Sequence, residues 1–321
     1  MVLKFDTQPG HLVEAIFSDI DDLCAAVRLW DLDLRPLSVP KPGGAVGHLV
    51  QFSCGPLEYG YCKLTACFDQ FGSPPSGLLT FAILEESMHR YWWRGHDVDQ
   101  NYALVYPIGS ELQGLNGSDF EVHTISVSHE TIGSICEGLK ITLPQIGLLP
   151  EIFRLEPNLL NALREQFRRI HNHAPPQSTD SMLRIVEVLV LAWLRQTNIQ
   201  PQPRPSLRNR DRAVRQCLEL IEQTEMIGLS PRLLREASGV SERTLQYAFR
   251  ERFGLTPAAF LKARRLTATR HQLLSAGNGD SKVGDIAAEF GFWHLGHFAS
   301  DYHKMFGESP SATQRRIRAV C

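Results

Sequence analysis

Long hydrophobic runs are missing from this chain of 321 residues: no stretch approaches the roughly 18–20 apolar residues that a spanning helix needs, which argues against a membrane-embedded protein. Cysteine is scarce and unpaired in pattern. Its seven positions (Cys24, Cys54, Cys62, Cys67, Cys136, Cys217 and Cys321) include no C-x-x-C and no metal-like spacing, so neither a disulfide framework nor a zinc site is expected. The first residues, MVLKFDTQPGHLVEAIFSD, lack the apolar core of a secretory leader, and the expectation is a reduced, cytoplasmic protein. Residues 1–200 also lack a nucleophile–base arrangement, a phosphate-binding loop and a metal-ligand set, which predicts a non-enzyme without a cofactor.

Net charge is nearly absent too, at −2, but that value conceals a split. Residues 1–206 carry 15 Lys and Arg against 23 Asp and Glu, a net of −8, whereas residues 207–321 carry 18 against 12, a net of +6. A basic region attached to an acidic one is what a nucleic-acid-binding module joined to a partner domain would show. Between them Pro201, Pro203 and Pro205 withhold backbone donors and favour extended chain. The predicted organisation is one domain at 1–199, a proline-rich linker at 200–206 and a second domain at 207–321.

In the first domain, short runs rich in β-branched and aromatic residues are punctuated by Gly and Pro: VGHLVQFSC, LEYGYCKLTACF, LLTFAILEE, YALVYPIG and FEVHTISVS. They predict a sheet or barrel at about 40–135. Ile20, Leu23, Val27 and Trp30 recur near helical spacing and predict a helix over Asp19–Trp30; Asn158–Ile170 and Ser181–Arg195 predict two more, within about 151–197. The last is apolar around most of its circumference, which implies burial within the domain or against a second copy. Beyond the linker the pattern is all-α. It begins with a helix over Arg210–Gln223, a short one started by Ser230-Pro231 and ended near Gly239, and one capped by Ser241 and stopped by Gly254. A long helix then runs from Pro257 to about Leu274, followed after a polar break by a short helix over Val283–Phe290, one through Phe306 stopped by Gly307, and a last one from Ser309-Pro310.

Two stretches of this half repeat one another. Leu245 matches Phe298, Phe249 matches Tyr302, Phe253 matches Phe306, Gly254 matches Gly307 and Pro257 matches Pro310 at one shift; Leu234 matches Ile286 and Gly239 matches Gly291 at a shift one shorter. Each copy is a short helix, a glycine-containing tight turn and a second helix with apolar residues four apart, the layout of a helix-turn-helix whose second helix lies in a DNA major groove. The segments GVSERTLQYAFRERFGLTP and IAAEFGFWHLGHFASDYHKMFGESP resemble the AraC/XylS family of bacterial transcription regulators over about residues 208–318. GFWHLGHFASDY further resembles a subgroup whose sensor half is cupin-like and β-rich. The fold class expected is therefore α+β: an N-terminal cupin-like β-barrel with flanking helices, and an all-α C-terminal domain of two tandem helix-turn-helix units joined by a long helix.

The resemblance implies double-stranded DNA as partner, with both second helices in successive major grooves, roughly one helical turn or ~34 Å apart. In the first unit, Glu242, Arg243, Gln246, Tyr247 and Arg250 point away from Leu245 and Phe249. Arg243 can give two hydrogen bonds to a guanine edge and Gln246 can make two with adenine, whereas Ser241 and Arg250 suit phosphate. In the second unit the outward positions are His294, Leu295, Gly296, His297, Ser300 and Lys304. Leu295 and Gly296 cannot hydrogen-bond a base through side chains. This unit is expected to offer contact with thymine methyls, backbone bonds from its helix N-terminus and phosphate contacts from His294 and Lys304, with the weaker sequence discrimination.

The resemblance also implies an activator that contacts RNA polymerase, holds a small-molecule effector in its barrel and pairs as a homodimer through helices of the sensor domain. In HRYWWRG, Arg90 and Arg94 flank Trp92 and suit an anionic, stackable ligand, in the manner of the arginine motif for cyclic dinucleotides. A strand with its tryptophans packed inside reads the same residues. A competing account of the chain is a cupin-like metal-binding enzyme with a helical appendage, in which His89, His96, His123, His129, His171 and His173 would supply ligands. A third is a module that binds an acidic protein through its basic half.

Overall fold

The computed structural model describes residues 13–38, 44–86, 91–94, 96–142, 149–172, 179–198, 209–275 and 282–318. It forms two compact units with their main division at Arg204–Pro205. The predicted linker at 200–206 lies outside the described residues.

The first unit is built on strands β1 (Val13–Phe17), β2 (Asp31–Pro36), β3 (Gly47–Cys54), β4 (Leu57–Leu64), β5 (Phe68–Ser73), β6 (Leu78–Leu84), β7 (Tyr91–Trp93), β8 (His96–Val98), β9 (Tyr102–Tyr106), β10 (Leu112–Asn116), β11 (Phe120–Ser128) and β12 (Ile152–Arg154). Among the described residues they pair antiparallel in two sheets, β1-β3-β4-β11-β6-β9-β12 and β2-β5-β10-β7-β8, rather than in one closed ring. Alternation along the strands sorts the side chains. Tyr59, Tyr61, Ile125 and Val127 of the larger sheet join a core with Leu160, Leu163 and Phe167 of helix α3 (Pro157–Asn172) and Met182, Val186, Leu189 and Trp193 of α4 (Thr179–Leu194). Gly60, Cys62, Leu64, Val122 and Thr124 face the other way, into a space that Leu34, Gln70, Tyr91 and Leu112 of the smaller sheet also line. Most of the apolar circumference of α4 is thus taken up inside its own unit.

Three expectations are corrected here. Strands β1 and β2 precede the predicted window of about 40–135 and β12 follows it, while helix α2 (His129–Gly138), capped by Ser128, begins inside it and runs past its end. The helix expected over Asp19–Trp30 is α1 (Ile20–Ala26) alone. It stops because the Gln51 side-chain amide takes both backbone groups of Arg28, accepting from its N–H at 2.8 Å and donating to its carbonyl at 3.3 Å. Trp30 therefore leaves the helix and meets Tyr106 edge-on, ring centroids 5.6 Å apart.

The second unit contains α5 (Asn209–Gln223), α6 (Pro231–Ser238), α7 (Glu242–Phe253), α8 (Pro257–Ser275), α9 (Val283–Glu289), α10 (Leu295–Phe306) and α11 (Pro310–Arg318), close to the helices the sequence predicts. Helix α8 is the shared support. Phe260 on it packs against Phe249 and Phe253 of α7, with centroids 5.4 and 4.9 Å away. Leu266 and Leu273 join Ile286, Ala287, Phe298 and Tyr302 of α9 and α10 in a second cluster.

Candidate nucleic-acid interface

Helices α6 and α7 meet at a turn that needs a left-handed residue, Gly239 at φ 63°. Ser241 then caps α7, its hydroxyl oxygen accepting from the Thr244 N–H at 3.2 Å and lying 2.9 Å from the Thr244 hydroxyl. With Leu245, Ala248, Phe249 and Phe253 buried, the opposite face is left to solvent: Ser241, Glu242, Arg243, Tyr247 and Arg250 are exposed and Gln246 is half-buried. The row is loosely tied along the helix. Arg243 lies over the Tyr247 ring at 5.6 Å and donates to its hydroxyl at 3.4 Å, and Gln246 donates to Glu242 at 3.2 Å. These weak, solvated contacts can be exchanged for contacts with a base edge.

Helices α9 and α10 repeat the plan around Gly291, at φ 82°. His294 occupies the N-cap position without a side-chain hydrogen bond to the helix, and no acidic residue stands in the first turn. The free N–H groups and dipole of this end therefore face outward without a carboxylate to compete for them, which favours a phosphate. His294, Leu295, Gly296, His297, Ser300 and Lys304 are all exposed. The sequence reading passed over Trp293, which is 72% exposed in the turn beside Leu295, itself 51% exposed. Phe292 explains its position: that ring packs on Phe298, centroids 4.9 Å apart, and the next side chain is turned out.

Ion pairs tie α10 to its support. Lys262 on α8 meets Asp301 at 3.2 Å, and Arg270 on α8 meets Glu308 at 3.6 Å and lies over the Phe306 ring at 4.9 Å. Arg265 donates to the Leu229 carbonyl at 2.6 Å, so this arginine closes the helix bundle.

Two helix-turn-helix units with exposed outer faces, polar in the first and mixed in the second, held on one helix, define a DNA-binding domain of tandem type. Residues 234–316 match a family model described as a helix-turn-helix domain. The probable thc operon regulatory protein of Rhodococcus erythropolis is 34% identical over 116 residues, 36% of this chain and 34% of its own length. XylDLEGF operon transcriptional activator 1 of Pseudomonas putida is 33% identical over 99 residues, 31% of this chain and 30% of its own. The chain thus spans about a third of the length of these curated relatives. A solved structure of a probable AraC family transcriptional regulator from Rhodopseudomonas palustris CGA009 is 42% identical, over 33% of this chain and 96% of that one, with a TM-score of 0.30. Over this C-terminal region the chain is similar to regulators of the AraC/XylS family.

The arginine–tryptophan segment of the first unit is described only in part. Arg90 lies outside the described residues. Trp92 is buried in β7, and Arg94 leaves that strand at φ 44° and pairs with Glu151. His123 is also spent. Its Nδ1 lies 2.8 Å from the Tyr59 hydroxyl, its Nε2 donates to the acceptor-only Glu85 carboxylate at 3.0 Å, and its ring stacks on Phe167 of α3 with centroids 5.1 Å apart. Arg168 of α3 donates to the same carboxylate, and Arg164 donates to the carbonyls of Leu84 and Gln100. Burial works against the charged Glu85, but the bonds from His123 and Arg168 outweigh it and hold its pKa down at about 2. Among the described residues no three His, Cys, Asp or Glu side chains cluster as a metal would need, and no helix is long and apolar enough to cross a membrane.

Proposed function

We propose that this chain is a cytoplasmic, ligand-responsive transcription regulator without catalytic activity, with residues 207–321 as its DNA-binding domain and residues 1–199 as its sensor. Helices α7 and α10 enter successive major grooves. Arg243 and Gln246 read bases, Tyr247 and Glu242 flank them, and Ser241 and Arg250 hold phosphate. In the second unit His294, Lys304 and the N-terminus of α10 hold phosphate, Leu295 and Gly296 allow close approach to thymine methyls, and His297 and Ser300 complete the contact face. The observation that carries this reading is the exposed polar row on α7 and the exposed, partly apolar row in the same place on α10, with both helices packed on α8. Likeness to the XylDLEGF activators favours activation, with RNA polymerase as the further partner. The chain acts as a homodimer, which would join two modest half-site affinities.

The test is selection of genomic fragments by the purified full chain at physiological salt, followed by alignment of the recovered sites. A shared motif with two blocks one helical turn apart is the expected result. Absence of enrichment by both the full chain and residues 207–321 would overturn the reading.

A further inference from the structure

The second helix-turn-helix differs from the first in what its outward helix offers. Between Gly291 and His303 the sequence holds no Arg, Lys, Asn or Gln, the side chains that reach a base edge with paired hydrogen bonds. In their place stand an indole and an isobutyl group. Trp293 and Leu295 are both exposed where the turn enters α10. Two large apolar groups at one point of a contact face make a patch, where a single one would need no explanation.

Both are held in place. The turn beneath Trp293 is fixed by the Gly291 N–H, which donates to the Ala288 carbonyl at 2.9 Å, by the Phe292 N–H, which donates to the Ala287 carbonyl at 3.0 Å, and by the Phe292 ring packed on Phe298. Leu295 rests over α9 at Gly284, where a Cβ would come 3.2 Å from Leu295 Cδ1 and 3.8 Å from Cδ2. One side of its isobutyl group is thus seated and the other meets solvent.

Gly296, next along, is not required by the fold. A Cβ there would meet nothing within 4 Å, its backbone is helical, and alanine would make the better helix. The missing side chain leaves room for a body from outside. Ala299 and Ser300, one turn further on, are also small and exposed, so the surface beside the apolar pair stays low. Another molecule can approach the backbone closely here, with Trp293 and Leu295 raised at one end of the gap.

The groove that such a helix enters decides what fits. The major-groove edge of thymine carries one apolar group, the C5 methyl, which apolar side chains recognise by contact alone. 5-Methylcytosine carries the same group at the same ring position. The net charge of +6 on residues 207–321, and the continuity of the patch with the exposed row of α10, favour DNA over a protein as its occupant.

We propose that the second helix-turn-helix reads the C5 methyl groups of pyrimidines, in thymine or in 5-methylcytosine, through Trp293 and Leu295, with the bare backbone at Gly296 allowing the approach. The proposal rests on the regulator reading and names the chemical feature that this helix-turn-helix recognises, so that cytosine methylation within the site raises affinity. The full chain is selected against random duplex libraries amplified with thymine or with uracil nucleotides, which differ only in that methyl. The thymine library should yield two enriched blocks. With uracil, the block whose base preference Arg243→Ala relaxes should persist and the other should lose its enrichment. In duplexes carrying the selected site, each methyl-bearing thymine of that second block replaced by uracil should weaken binding about fourfold, the effect of one buried methyl. With cytosine at that position, 5-methylation should recover about fourfold. Trp293→Ala and Leu295→Ala should each shrink the difference between thymine and uracil duplexes, whereas Gly296→Leu should weaken both alike, with its fold checked by circular dichroism. Enrichment of the same two blocks from both libraries, equal binding of cytosine and 5-methylcytosine, or an unchanged thymine–uracil difference in Trp293→Ala would overturn the proposal and leave the regulator reading standing. A thymine library that yields no enriched block overturns the regulator reading and the proposal with it.

Discussion

Each helix-turn-helix unit depends on a few side chains that the core has no use for. Arg243 is the most informative of them, because its guanidinium is exposed and lies over the Tyr247 ring. Arg243→Ala should relax base preference at one position of the binding site at a cost of about 1–3 kcal/mol, read by competition against single-base variants of that site. Trp293 tests a different chemistry. Its exposed ring carries no charge, so Trp293→Ala should weaken binding by roughly 1–2 kcal/mol while the slope of log affinity against log salt stays unchanged. Lys304→Ala should instead lower that slope by about one.

At the scale of elements, α8 and α3 are the pieces on which the two units depend. Phe260 is fully buried on α8 against two rings of α7, so Phe260→Ala should destabilise the second unit by about 3–5 kcal/mol in denaturant unfolding. Helix α3 is fastened by charge as well as by its apolar face. The Glu85 carboxylate faces His123 and Arg168, with Arg164 and Glu86 near by, and its pKa falls from the ordinary 4.5 to about 2 on folding. Because the folded value is the lower one, its contribution is full above pH 4.5 and is lost as pH falls from there to about 2. The melting midpoint should drop across that window, and Glu85→Gln should flatten that part of the curve.

For the whole molecule, the spacing of contacts follows from one helix. The 19 residues of α8 span roughly 28 Å at 1.5 Å per residue, and α7 and α10 are both packed on it. Footprinting should therefore show two protected blocks about one helical turn apart on one face of the duplex. The charge split makes a matching prediction: affinity should fall steeply with salt, and residues 207–321 alone should retain most of that dependence.

What the sequence determined by itself is the second unit. Helix caps, left-handed turn glycines and apolar residues four apart act within a few residues of one another, so the positions of α5 to α11 and the outward row on α7 could be read before any contact was known. The first unit was legible in its long strands, where alternation repeats often enough to be seen; Phe120–Ser128 is one of them. The three-residue strands β7, β8 and β12 carry no such repeat, and they exist through partners distant in sequence, as when Ile152–Arg154 pairs with Tyr102–Tyr106. Tertiary packing alone decided that Gln51 ends α1 and pins Arg28, and that Phe292 turns inward and Trp293 outward. In each case the deciding bond or contact joins residues that local propensity treats as independent.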